Sequence, residues 1–263
     1  MKKRITAASL LLAITIVAGC SQTEKPYRVG LVNLVIGQAF IIGKNGGETP
    51  AKVGMPIDVG MKIKTAGKNS LCEIYFNENA IKVFGDSIVS VDRLTYNHKS
   101  ESDETSLSLE KGRFFAHVSR KLMKDDSFIV KTPVAVAAVR GTDFFVSDSE
   151  TASTISCLDG KVEIRDKAKK GNSVVVSDKE EAKTTKGKAA KKSGIAAKRT
   201  DSLKKDSDIK PVTPENKTTF DKLDKGDKVA VKEIKRSIEN LSGSTSDKEK
   251  KDEHNVDLFF FKS

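Results

Sequence analysis

Hydrophobic residues between positions 28 and 185 occur in short runs that alternate with polar residues, which is the pattern of half-buried β-strands. Cys72, Ile74 and Phe76, for example, fall on one face of a predicted strand. Turn residues separate the runs at close intervals, and Asp159-Gly160 is the strongest of these hairpin signals. The pattern predicts an all-β domain of stacked short strands, either two-layered or solenoid-like.

Residues 186–263 differ from this domain in composition. The basic run begins slightly earlier, since residues 167–199 hold 11 basic and 3 acidic side chains. Such a run buries too little apolar surface to offset the loss of chain entropy on folding. We therefore expect residues 186–263 to form a mostly disordered, low-complexity basic tail. A short helix is predicted at about 227–241, where Val231, Ile234, Ile238 and Leu241 form one apolar stripe. This helix and the triplet Phe259–Phe261 would either dock on the β-domain or contact a partner.

The N-terminus has the pattern of an export signal, with three basic residues followed by the apolar run Leu10–Val17. Val17-Ala18-Gly19-Cys20 resembles the lipobox of bacterial lipoproteins. The resemblance implies a signal peptide at 1–19, lipidation of Cys20 and a lipidated tether at 20–27. Palmitate and related acyl chains would hold the protein on a membrane of the cell envelope. Ser21, where many inner-membrane lipoproteins have Asp, favours the outer membrane. The alternative is an uncleaved anchor in which Cys20 is incidental.

Composition and charge narrow the class of protein. The 263 residues include no Trp and are 37% hydrophobic, and only the first 20 hold a long apolar run, which excludes a polytopic membrane protein. The formal net charge of +11 comes from 47 basic and 36 acidic residues, and most of it lies at the two ends of the chain. The basic run has almost no aromatic residues, so nucleic-acid binding is not expected. A solvated linker is one interpretation of the run, and attraction to anionic lipid headgroups or envelope polymers is another.

Candidate chemistry is sparse. His98, His117 and His254 lie far apart in unrelated contexts, and no hydrolase, P-loop or dinucleotide-binding motif occurs. We therefore expect no catalytic residues, no metal site and no cofactor. Cys72 and Cys157 fall on predicted strands and face inward by alternation, so they form either a disulfide or two buried thiols.

The β-domain also resembles a known family, on several motifs in order along residues 30–180. Phe128–Pro133 followed by Ala137–Phe144 is similar to the T-P and R-G-T signature of the FecR domain. Thr65–Ile74 is similar to its threonine-led hairpin, and Leu158–Ile164 to its last hairpin. The resemblance implies that residues 28–185 form a FecR-like β-domain. The signature positions in this chain are Thr132, Pro133, Arg140, Gly141, Thr142 and Gly160.

Elementary chemistry gives these signature residues structural roles. Pro133 lacks a backbone N–H and is expected at a strand start or edge, and Gly141 at a bulge or close backbone approach. Arg140 either pins neighbouring strands, which requires acceptors if it is buried, or touches a ligand.

The FecR resemblance also bounds the function. Signalling members of the family connect an outer-membrane iron-siderophore receptor to a sigma factor through a cytoplasmic segment and a transmembrane helix. We expect this chain to lack that anti-sigma segment. The resulting hypothesis is a lipid-anchored, non-catalytic envelope protein whose β-domain binds another envelope protein or polymer. The alternative is an accessory of trans-envelope signalling linked to an iron-uptake receptor. The oligomeric state is left open.

Overall fold

The computed structural model describes residues 26–119, 126–149, 151–167, 173–186 and 188–243. The predicted signal peptide, Cys20 and Phe259–Phe261 lie outside the described residues. Along these ranges the chain forms strands β1 (Gly30–Ile42), β2 (Glu48–Pro50), β3 (Pro56–Ile57), β4 (Lys62–Phe76), β5 (Asn79–Phe84), β6 (Ile88–Asn97), β7 (Ser102–His117), β8 (Ser127–Lys131), β9 (Ala135–Val139), β10 (Asp143–Ser149), β11 (Ala152–Asp159), β12 (Lys161–Asp166), β13 (Ser173–Ser177), β14 (Glu180–Thr185) and β15 (Lys188–Gly194), followed by helices α1 (Ala197–Asp206), α2 (Pro214–Asp224) and α3 (Lys228–Gly243).

Every described strand belongs to one hydrogen-bonded sheet, which curves into a barrel-like body around a single main core. Two long strands connect it: β4 pairs with β1, β5 and β6, and β7 pairs with β5, β6, β8 and β10. The β7–β8 pair is parallel, whereas the other described pairs are antiparallel. The mostly β architecture confirms the predicted all-β class.

Strand alternation decides which side chains enter the core. On β7, Phe114 and Ala116 point into the main core, whereas Phe115 points to the opposite face. There Phe115 packs against Phe145 of β10 with ring centroids 4.8 Å apart. The sheet therefore has apolar groups on two faces at this point, and both need to be covered.

The predicted disorder of the tail is wrong for residues 188–243, which form β15 and all three helices. Ile195 and Leu203, the latter in α1, cover the outer face beside Phe115. Helices α2 and α3 close the main core with six buried side chains, namely Phe220, Leu223, Ala230, Ile234, Ile238 and Leu241. Short polar helices are unstable alone, but packing of an apolar stripe on a preformed sheet stabilises them.

Local signals mark the ends of two helices. The predicted helix at 227–241 is α3, and Asp227 caps it by accepting hydrogen bonds from the N–H groups of Val229 and Ala230, at 2.9 and 3.0 Å. Helix α2 begins with Thr213, whose hydroxyl accepts from Asn216 N, and with Pro214 at its first position. This second start signal is legible in the sequence as Thr-Pro-Glu-Asn.

Buried polar groups fasten the connector between α1 and α2 to the sheet. Glu73 accepts a hydrogen bond from Lys210 N at 3.0 Å, and Lys82 Nζ donates to the carbonyl of Asp208. Lys82 Nζ also lies 3.2 Å from Glu73 Oε1, an ion pair without hydrogen-bond alignment. Asn33 Nδ2 donates to the carbonyl of Pro211 at 3.1 Å. The C-terminal segment is thus held by polar clamps as well as by apolar packing.

Candidate functional site

The Thr-Pro signature is a turn between β8 and β9. The Thr132 hydroxyl is buried and accepts hydrogen bonds from Ala135 N at 3.0 Å and Ser153 Oγ at 2.8 Å. Pro133 is exposed at the turn, outside both strands. The threonine hydroxyl therefore replaces backbone partners that the turn cannot supply.

The Arg-Gly-Thr signature is a corner that leads into β10. Gly141 has a φ of 61°, and Thr142 is buried with its hydroxyl 2.9 Å from the carbonyl oxygen of Lys161. Gly160 has a φ of 96°, and a Cβ there would lie 2.6 Å from the carbonyl oxygen of Gly141. Both glycines are therefore required by backbone geometry. Arg140 is exposed, so it does not need the buried acceptors considered above.

The same contact between a glycine and a hydroxyl recurs at two other corners. Gly37, with a φ of 68°, faces Ser70, and Gly112, with a φ of 90°, faces Ser87. In each case the residue after the glycine donates its N–H to the hydroxyl at 2.9 Å, as Lys161 does to Thr142 at 3.3 Å. Sequence reasoning missed this repeat because the partners are separated by 18 to 33 residues. The shared signal is a glycine with positive φ paired with a buried Ser or Thr.

The possible disulfide is not formed, because Cys72 and Cys157 are both free and buried. They lie on β4 and β11, which do not pair with each other. Burial raises the pKa of each thiol to about 12, with a smaller contribution from Glu73 at Cys72 and from Asp178 at Cys157. These are protonated core side chains.

One described histidine has a carboxylate partner. His117 Nδ1 lies 2.6 Å from Asp143 Oδ1, at exposed positions on β7 and β10. Within the described ranges, no group of three His, Cys, Asp or Glu side chains is arranged to hold a metal ion. None of the described helices has the length and apolar character needed to cross a bilayer.

The start of the described chain is a charged junction between three parts of the fold. Arg28 forms ion pairs with Asp103 of β7 and Asp224 of α2, and its guanidinium lies 4.9 Å from the centre of the Tyr96 ring. Burial lowers the pKa of Arg28, but its two ion pairs outweigh burial and raise it. Burial also raises the pKa of Asp103, against the opposing effect of Arg28. We call these residues the tether junction.

A cleft of about 540 Å³ opens at the tether junction. Four of its lining residues are acidic, namely Glu78, Asp103, Asp126 and Asp224. Their oxygens are engaged: Arg28 binds two of these carboxylates, Asp126 accepts from Asp103 N at 2.6 Å, and Glu78 accepts from Ser119 Oγ at 3.1 Å. The arrangement suits fastening of the N-terminal segment to the body.

Next to this junction, α3 presents a strongly basic surface. Lys228, Lys232 and Arg236 follow one another at four-residue intervals on its exposed side, and Lys235 flanks them. Two acidic residues of α3, Glu233 and Glu239, are also exposed. Like charges at this spacing destabilise a helix by ~0.2–0.5 kcal/mol per pair. We call the four cations the α3 basic face.

An apolar groove of about 560 Å³ lies between the β2–β3 loop and the end of α3. Val53, which is 54% exposed, lines it together with Met55, Pro56 and Leu241. This groove is a second candidate contact surface, and the irregular β2–β3 loop forms one side of it.

Residues 61–163 match the family model described as FecR protein, which confirms the resemblance found in the sequence motifs. The chain is also similar to two crystal structures of a proposed anti-sigma factor from Parabacteroides distasonis ATCC 8503, both with a TM-score of 0.42, at 16% and 18% identity. Each similarity covers 54% of this chain and 63% of the solved chain, so this chain spans less than two thirds of those structures. No curated protein matches the chain.

Proposed function

Taking the FecR domain of residues 61–163 as the premise, we propose that the protein is a lipid-anchored, non-catalytic component of the bacterial cell envelope. Its β-domain binds another envelope protein, and a lipid on Cys20 holds it at the membrane, the outer membrane rather than the inner. The tether of residues 20–27 joins the lipid to the body at Arg28.

One observation carries the non-catalytic, scaffold-like part of this proposal. The hydroxyl groups of the family motifs are used inside the fold, since those of Thr65, Thr132 and Thr142 all bond to backbone groups at the corners. Motif residues that stabilise turns indicate that the family motifs preserve the fold and do not supply reactive groups. Binding then depends on the exposed surfaces that this shape presents.

The anchor is tested by labelling cells with radioactive palmitate and comparing the wild type with Cys20→Ser. We expect label in the wild-type protein only, because acylation requires the thiol. We also expect Cys20→Ser to remain unprocessed or to leave the detergent phase. Label retained by Cys20→Ser would contradict the proposed anchor.

The protein partner is tested by site-specific photocrosslinking in intact cells. A photoreactive amino acid replaces Val53 in the apolar groove or, as a matched control, Val175 on β13, which is 48% exposed. We expect one envelope protein to be captured reproducibly from position 53 and not from position 175. Equal, nonspecific capture from both positions would argue against a defined protein contact.

A second candidate function, an accessory of trans-envelope signalling, is favoured by the FecR match itself. In that case the β-domain relays the state of an iron-uptake receptor to a separate inner-membrane protein. Deleting the gene should then change transcription of an uptake system under iron limitation. An unchanged transcriptome leaves the binding function as the better account.

A further inference from the structure

Two cations of the α3 basic face, Lys232 and Arg236, are exposed to solvent on the side of α3 that faces away from the core. Neither side chain forms an ion pair with another described residue. The buried stripe of Ala230, Ile234, Ile238 and Leu241 lies on the other side of α3 and packs into the main core. Packing therefore holds a row of cations in a fixed direction, away from the body.

This face adjoins the point where the N-terminal tether reaches the body. Lys235 Nζ lies 5.5 Å from the centre of the Tyr27 ring, and Tyr27 N donates to the carbonyl of Leu223 at the end of α2 at 3.2 Å. Cys20 is seven residues before Tyr27, so a fully extended tether spans at most about 25 Å. A lipid on Cys20 would therefore keep the α3 basic face close to the membrane surface.

We propose that the α3 basic face binds the anionic phospholipid headgroups of the membrane that carries the anchor. This inference rests on the proposed lipid anchor, which places headgroups within reach of α3. Lys228, Lys232, Lys235 and Arg236 act through charge, and the tether raises the effective concentration of headgroups beside them.

The chemistry of the face favours a charged lipid surface over other polyanions. The apolar stripe of α3 is committed to the core, so the helix lies on the headgroups without inserting. Long, flexible Lys and Arg side chains can contact a planar array of phosphates, and this contact does not require a fixed geometry. Val229, 66% exposed at the rim, is apolar, and no aromatic residue of α3 is available to stack on a base.

The test measures binding of the chain from Ser21 to Ser263, which lacks the acyl anchor and retains every described residue. Vesicles contain either phosphatidylcholine alone or phosphatidylcholine with 30% phosphatidylglycerol, roughly the anionic share that generates a strong surface potential. One variant carries Lys228→Gln, Lys232→Gln, Lys235→Gln and Arg236→Gln. Its matched control carries Lys191→Gln, Lys198→Gln, Lys204→Gln and Lys205→Gln, with the same change in net charge on β15 and α1.

We expect the wild type to bind only the anionic vesicles, with affinity that falls as salt rises. The α3 variant should bind at least about tenfold more weakly, and the control variant within about twofold of the wild type. Equal losses in both variants would overturn the proposal, because net charge alone would then explain binding. The proposal would also be overturned if the α3 variant lost binding to soluble polyphosphate while its vesicle binding stayed unchanged. That result would favour an anionic polymer as the ligand.

A second readout measures orientation. Val229→Cys is labelled with a fluorophore, and Val175→Cys serves as the control position. The native thiols Cys72 and Cys157 are buried and should not react. A lipid that carries a spin label on its headgroup should quench the label at position 229 and not at 175, whereas equal quenching would overturn the proposal. Since no acyl chain is present, failure here is distinguishable from failure of palmitate labelling.

Discussion

The strands that match the FecR model and the C-terminal helices bury apolar side chains in the same core, but they reach it differently. The strands carry alternating patterns with closely spaced turns, so hydrogen bonds between neighbouring segments hold much of residues 61–163 together. Helices α1–α3 form no hydrogen bonds of the sheet and lie in a polar sequence, yet they supply Phe220, Leu223 and Ile234 to the core. The family match thus covers strands whose patterns are local in sequence. The core is complete only when helices α2 and α3, which lie outside the match, pack against those strands.

Removing the helices should therefore have the largest effect. Truncation after Gly194 exposes the outer face at Phe115 and removes six buried side chains from the main core. At about 1.5–3 kcal/mol per buried apolar side chain, the loss is comparable to the net stability of a whole domain. We expect a truncated chain that is aggregated or melts far below the wild type by circular dichroism. A cooperative melt within a few degrees of the wild type would show that the strands fold stably without the helices.

The polar clamp between the two regions is tested by Lys82→Met, which leaves the buried Glu73 carboxyl without its cationic partner. We expect a loss of about 3–5 kcal/mol in the free energy of unfolding, measured with urea. Lys44→Met is the matched control, because Lys44 pairs with Asp58 at the surface, where an ion pair contributes about 0–1 kcal/mol. Adding Glu73→Gln to Lys82→Met should recover part of the loss, and no recovery would contradict the clamp.

Within the β-body, the glycine corners should be sensitive to a single methyl group. Gly160→Ala forces a positive φ on alanine and places its Cβ against the carbonyl of Gly141, so we expect a loss of about 1–3 kcal/mol. Gly194→Ala on β15 is the control, because a Cβ there meets nothing within 4 Å. Equal melting temperatures for the two variants would contradict the steric role of glycine at this corner.

The smallest expected effect concerns the buried thiols. Because the pKa values of Cys72 and Cys157 rise to about 12, the folded protein keeps both protons while the unfolded chain loses them above pH 9. This contribution to stability is present below pH 9 and is lost as the pH rises toward 12. A thiol reagent at pH 8 should label neither residue until the protein is unfolded. Rapid labelling of the folded protein would mean that the core opens at β4 or β11.

Local sequence patterns were sufficient for much of the fold. Alternation predicted the strands, Gly141 was expected at a close backbone approach, and the stripe from Val231 to Leu241 predicted α3, whereas Pro133 was expected at a strand start or edge and lies in the turn between β8 and β9. Each of these signals is written within a few residues, because strand and helix periodicities are local. The lipidation of Cys20 stays a prediction, outside the described residues.

Only the tertiary structure decided which distant residues meet. It assigned Gly160 to Thr142, kept Cys72 apart from Cys157, and placed Lys235 beside Tyr27 although they are 208 residues apart in sequence. It also ordered a tail whose composition predicts disorder, because the sheet offers the apolar surface that those helices lack alone. The physical reason is that such contacts depend on chain topology and shared burial, which no local period encodes.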